Sequence, residues 1–173
     1  MAQVKDAVSV ANKVFRTYEN RRPERIAKEM GILIIPAPFK KQKGAYKVIE
    51  RQPIIFINDS LHPVVREIVF GHELGHHLLH REEAIQAGGF QEFNLFDMRE
   101  NRMEYEANLF AADLLLEDDD VAEMSKNEDL NYFGFCSSLN ASPELMSFKL
   151  YSLMKRGQAY HMPMEIQSNF LAK

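Results

Sequence analysis

The chain has 173 residues, 46% of them hydrophobic, enough for one domain with a real core or one domain with a helical appendage. Its net charge is −4, and its single cysteine, Cys136, excludes an internal disulfide, suits a reducing cytoplasm and is read as a small buried hydrophobe. No apolar stretch is long enough for a membrane span, and the start of the chain, with Lys5 and Asp6, lacks the apolar core of a signal peptide, so a cytoplasmic location is expected.

Charge is uneven along the chain: residues 1–51 carry 12 Lys and Arg against 5 Asp and Glu, whereas residues 52–173 carry 9 against 20. The basic third is read as a solvated helical surface. Helices are predicted at about 4–19 and 23–30, the second opened by Pro23 and closed by Gly31. Ile32–Ile35, Ala45–Ile49 and Ile54–Ile57 then read as three strands, with Gln52 and Pro53 in the second turn.

The next helix, about 61–80, carries His72-Glu73-Leu74-Gly75-His76. Leu61, Val65, Ile68 and Val69 form an apolar stripe, and His72, His76 and Leu79 continue it, so both imidazoles point inward. Histidines four apart lie roughly 40° apart in projection and about 6 Å apart along the axis, within reach of one metal ion. Glu73 follows the first ligand directly, placed to accept a proton from water. Two buried histidines satisfied by ordinary hydrogen bonds are the plainer reading, but each would need its own partner, as would Glu73. His80 lies about 12 Å along the axis from His72, too far for a third ligand from one straight helix. The connection 81–98, with Gly88-Gly89 and several phenylalanines, is expected to shape a cleft rim.

A further helix is predicted over 99–117, capped by Asp97. Glu104, Ala107, Asn108, Ala111 and Leu115 share one face, and the small residues there permit close approach to another helix. Glu106 and Asp113 project to the opposite side, read as solvated surface. Glu104 is the expected third ligand because Asn108, one turn on, is placed to orient a metal-bound histidine; Glu100, one turn earlier on the same face, is a second candidate. Asp118-Asp119-Asp120 is read as the acidic start of a helix rather than as a metal cluster. Residues 130–139 and 144–156, with Ser142 capping the second helix, resemble a helix-turn-helix. Lys149, Lys155 and Arg156 are too few cations for phosphate neutralisation, so packing is expected and DNA contact is not.

The blocks His72-Glu73-Leu74-Gly75-His76-His77-Leu78-Leu79-His80 and Glu104-x-Glu106-Ala107-Asn108-x-Phe110-Ala111-Ala112-x-Leu114-Leu115, with Gly44-Ala45-Tyr46 and Ile54–Asn58 upstream, resemble the ImmA/IrrE family of metallo-endopeptidases over roughly residues 25–155. The resemblance implies His72, His76 and Glu104 as zinc ligands, Glu73 as catalytic base, and a helix-turn-helix repressor as substrate. Leu116-Glu117 stands where that family usually has Met-Pro, and Gly71 where it usually has alanine.

The expectation is therefore an α+β, zincin-like core at 1–127, a small three-stranded sheet packed on helices, followed by a helical segment at 128–173. The expected activity is zinc-dependent hydrolysis of a cytoplasmic protein, with an extended peptide held on an exposed edge among strands 45–57 and Tyr46, Tyr160 and His161 as possible oxyanion donors. The rival reading is a metal-containing anti-repressor that acts by docking without hydrolysis.

Overall fold

The computed structural model describes residues 6–92 and 102–161. The chain divides into two compact units, Met1–Leu115 and Leu116–Lys173, so the division precedes the acidic run at 118–120.

In the first unit, α1 (Ala7–Tyr18) begins where the Asp6 side chain accepts from the Ser9 amide, and it buries Ala7, Ala11 and Val14, one helical face. α2 (Pro23–Glu29) has proline in its first turn, where the missing N–H costs nothing. β1 (Leu33–Ala37), β2 (Gly44–Ile49) and β3 (Gln52–Asn58) follow. The turn between β2 and β3 is Glu50-Arg51, both left-handed at φ 48° and 71°. Gln52 and Pro53 lie within β3, not in the turn; Pro53 precedes the first β1 pairing, Leu33 with Ile54, so its lack of an N–H leaves that ladder intact.

Among the described residues the sheet has four strands, in the order β1-β3-β2-β4, where three were expected. The fourth, β4 (Phe90–Glu92), pairs antiparallel with Gly44–Tyr46. It is reached through α4 (Arg81–Ala87) and the left-handed pair Gly88-Gly89. At Gly89 a side chain would meet Lys47 Cγ at 2.5 Å and the Tyr46 carbonyl at 2.8 Å, so only glycine brings the chain in beside β2. The exposed edge expected among strands 45–57 is thus covered over Gly44–Tyr46, and β3 is interior.

Two longer helices complete the unit, α3 (Pro63–Leu79) and α5 (Arg102–Leu115). α3 lies against β2 and β3 on one side and α5 on the other, and α5 packs in turn on α1. A Cβ at Gly75 would come within 3.1 Å of the Ala107 backbone, and one at Gly71 within 3.1 Å of Ala111 Cβ. Small residue meets small residue, and the helix backbones close to contact distance. Because α5 has a helix on both sides, Asp113 is buried rather than solvated as its wheel position suggested. Arg21 donates to the carbonyls of Asp113 and Leu114 at 3.4 and 3.0 Å, covering the end of α5. The predicted cap Asp97 and the candidate Glu100 lie outside the described residues.

The second unit holds α6 (Asp118–Met124), α7 (Tyr132–Ser138) and α8 (Pro143–Lys155). Ser142 accepts from the Leu145 amide at 3.1 Å, as expected of the cap. Cys136 is buried. Lys149 is 1% exposed and donates to Asp118 at 2.5 Å, and Arg156 meets the same carboxylate at 2.5 Å. Two of the cations at 149–156 are therefore paired with one carboxylate within the unit. The Arg156 hydrogen bond, aided by Lys149 against the opposing effect of burial, holds Asp118 down to about 2 from the ordinary 3.8. A carboxyl depressed on folding stabilises the fold above its unfolded value and loses that contribution as it protonates, here between about pH 4 and pH 2. Asp118→Ala is expected to cost about 1–3 kcal/mol by removing a charged hydrogen-bond partner of the buried Lys149, and to flatten the urea-midpoint profile across that pH window. An unchanged midpoint at pH 7 would show the pair to be idle.

Candidate metal centre

α3 starts at Pro63 with His62 accepting from the Val64 amide, and from Ile68 to His76 every residue is buried. Nine consecutive buried positions exceed one helical face; they follow from a sheet on one side and α5 on the other. His72, Glu73 and His76 are 0%, 0% and 1% exposed, so their polar atoms must be satisfied by protein or by an ion.

α5 brings Glu104 to the two rings. His72 Nε2 lies 3.0 Å from Glu104 Oε2, His76 Nε2 lies 3.3 Å from Glu104 Oε1, and the two Nε2 atoms are 3.0 Å apart. One ligand atom from each residue falls within a common 4.8 Å, and among the described residues this is the one such group of three. Ligands about 2.0–2.1 Å from a tetrahedral zinc lie roughly 3.3 Å from one another, close to these spacings. Burial pushes His76 down to about 4, so its ring is neutral at pH 7 with a lone pair to offer. Burial works against the charge on Glu104, but the His72 and His76 rings beside the carboxylate outweigh it and hold the carboxyl well below the ordinary range. Two imidazole nitrogens and a carboxylate converging on one point suit a divalent cation. Glu104 keeps 19% of its side chain exposed, so the cluster opens to solvent on its α5 side.

Asn108 adjoins this cluster through His72, and Glu73 follows that histidine in the chain. His72 Nδ1 donates to Asn108 Oδ1 at 2.9 Å. Glu73 is buried against the start of β2: a Cβ at Gly44 would lie 2.7 Å from Glu73 Oε1, so glycine there leaves the carboxylate its room. The Tyr46 hydroxyl meets His77 Nδ1 at 2.9 Å, and burial raises it to about 12. Tyr160 and His161 belong to the second unit, lining a cavity with Leu130, Tyr132 and Phe135.

Three contacts were missed by sequence reasoning. Phe90, on the unforeseen β4, stacks on His76 with ring centroids 4.4 Å apart. His80, set aside as a ligand, lies 3.1 Å from His76 Nδ1 through its own Nδ1. Glu106 is not solvated surface: it meets His80 Nε2 at 3.0 Å and Arg102 at 2.6 Å. Burial opposes the Glu106 charge, but those two hydrogen bonds prevail and keep the carboxyl below its ordinary value. The signal for His80 was present in its spacing of four from His76. Glu106 gave none, because a helical wheel does not show that a neighbouring helix ends in a histidine.

The IrrE N-terminal-like domain, Peptidase M78, matches residues 27–151, a stretch that includes the whole sheet, α3 and α5. The uncharacterized immunity region protein 2 of Bacillus phage phi105 is 31% identical over 121 residues, covering 69% of this chain and 74% of the relative. With the buried histidine pair, Glu73 and Glu104 all inside the matched stretch, the chain belongs to the IrrE N-terminal-like family of metallopeptidases, Peptidase M78.

Proposed function

We propose that the protein is a zinc-dependent endopeptidase whose substrate is a cytoplasmic helix-turn-helix repressor. The observation that carries this reading is the convergence of His72, His76 and Glu104 beside the buried Glu73. Three protein ligands of this kind match catalytic rather than structural zinc sites, which close their fourth position with another side chain. When bound, zinc supplies Lewis acidity that activates water and polarises a carbonyl. Glu73 accepts the water's proton on its carboxylate and returns it to the nitrogen of the leaving amine. Asn108 fixes the tautomer of His72 by accepting its Nδ1 proton. β4 is the sheet edge beside the cluster, and an extended peptide adds to that edge through backbone hydrogen bonds. The phage relative's name refers to an immunity region, which supports a substrate involved in repression. In this reading catalysis belongs to the first unit, and the α7–α8 pair is a packed helical segment rather than a DNA reader, supported by the engagement of Lys149 and Arg156 with Asp118.

The test is incubation of the zinc-loaded protein with a helix-turn-helix repressor encoded beside it, with casein in parallel. Discrete cutting of the repressor, little action on casein and close to one zinc per chain are expected. Rapid digestion of casein would indicate a general peptidase. Loss of repression without any cut would favour the docking reading.

A further inference from the structure

We propose that His80, held by Glu106, is a positioning residue for His76, so that the metal centre is built on a relay running from Arg102 to the ring that binds the ion. The proposal rests on the metal-centre reading above. Its basis is the direction of the hydrogen bonds. If the lone pair on His76 Nε2 faces the ion, the ring's proton is on Nδ1 and must be donated. The atom 3.1 Å away is His80 Nδ1, which accepts only when unprotonated. The proton of neutral His80 then sits on Nε2, 3.0 Å from Glu106 Oε2, and an ionised carboxylate accepts it. Arg102 holds that carboxylate at 2.6 Å. Each link fixes the next, and only one set of tautomers satisfies all of them.

The arrangement also shows why the two ligand histidines have different supports. His72 faces α5 directly and finds the short acceptor Asn108. His76 lies one turn further on, where α5 meets the other ring nitrogen, Nε2, with Glu104. The next turn of α3 supplies the acceptor instead, and α5 supplies the charge that orients it. His80 is 3% exposed and the Glu106 side chain 19%, so water competes weakly for these bonds.

A packing role and a hydrogen-bonding role are separated by two substitutions. His80→Leu keeps most of the volume and removes the acceptor; His80→Asn loses volume but places an oxygen near the position of Nδ1, as Asn108 does for His72. Zinc affinity, measured by chelator competition on protein whose fold is checked by circular dichroism, is expected to fall roughly 10–100-fold in His80→Leu and by less than roughly tenfold in His80→Asn. Glu106→Leu is expected to weaken zinc binding alone and to add little in the His80→Leu background, because both act through one chain of contacts. If His80→Leu binds zinc as well as His80→Asn or better, the positioning role is overturned; if the Glu106 and His80 effects add fully, the relay is overturned. A His72→Ala control separates the two levels of the argument: if that variant keeps full zinc, the metal-centre reading fails, whereas its loss of zinc beside an indifferent His80→Leu sinks only the relay.

Discussion

Glu73→Gln is expected to reduce peptide cleavage by roughly 10²–10⁴-fold, the range spanned by a positioned general base, while zinc content stays near one per chain. Glutamine fills the same space against Gly44, where there is no tolerance for a larger group. It cannot take a proton from water at neutral pH. Because the glutamate is buried and the amide has its shape, thermal stability is expected to hold. Activity of the purified variant on the repressor, with metal measured in the same preparation, decides the matter. Full cleavage by a metal-loaded Glu73→Gln protein would remove Glu73 from the chemistry.

Glu104→Ala is expected to cost more zinc affinity than any other single change on α5. It deletes one of three converging donors, whereas Asn108→Ala removes only the support of His72 and should fall in the roughly 10–100-fold range of such outer partners. Glu106→Ala acts one step further out, through His80, and should not exceed that range. Glu100→Ala should be weaker than Glu104→Ala. Isothermal titration with zinc ranks the four variants; a Glu106→Ala loss larger than that of Glu104→Ala would mean that the carboxylate contributed by α5 has been misassigned.

The elements legible in the sequence were those with a period long enough to show. α3 and α5 declared themselves through recurring apolar and small residues, and the face that holds Glu104, Ala107, Asn108 and Ala111 is the face that meets α3. The strands at 44–49 and 52–58 were visible as β-branched runs. β4 was not, because three residues carry no alternation to read and its pairing depends on a glycine turn beside Lys47 rather than on local propensity. Burial of Asp113 and the role of Glu106 were hidden for another reason. A helical wheel divides a helix into an inside and an outside, and α5, with α1 on one side and α3 on the other, has no simple outside. The Gln52-Pro53 turn was misplaced because proline suggests a turn wherever it stands, while here two left-handed residues just before it reverse the chain.

The donors on α3 and α5 come from segments well apart in the chain, with α4 and β4 between them. An ion grasped by both helices would therefore act as a rivet across the first unit as well as a reagent. Since the unfolded chain does not gather these three groups, zinc at a thousandfold excess over its dissociation constant would add about 4 kcal/mol to the folded state by mass action. Melting temperature would then track free zinc in the parent protein and lose that dependence in the Glu104→Ala chain. On the proposed zinc reading, a cell that withdraws the metal would loosen the fold as well as silence the site, so that scarcity of metal would govern how long the protein survives as well as how fast it works.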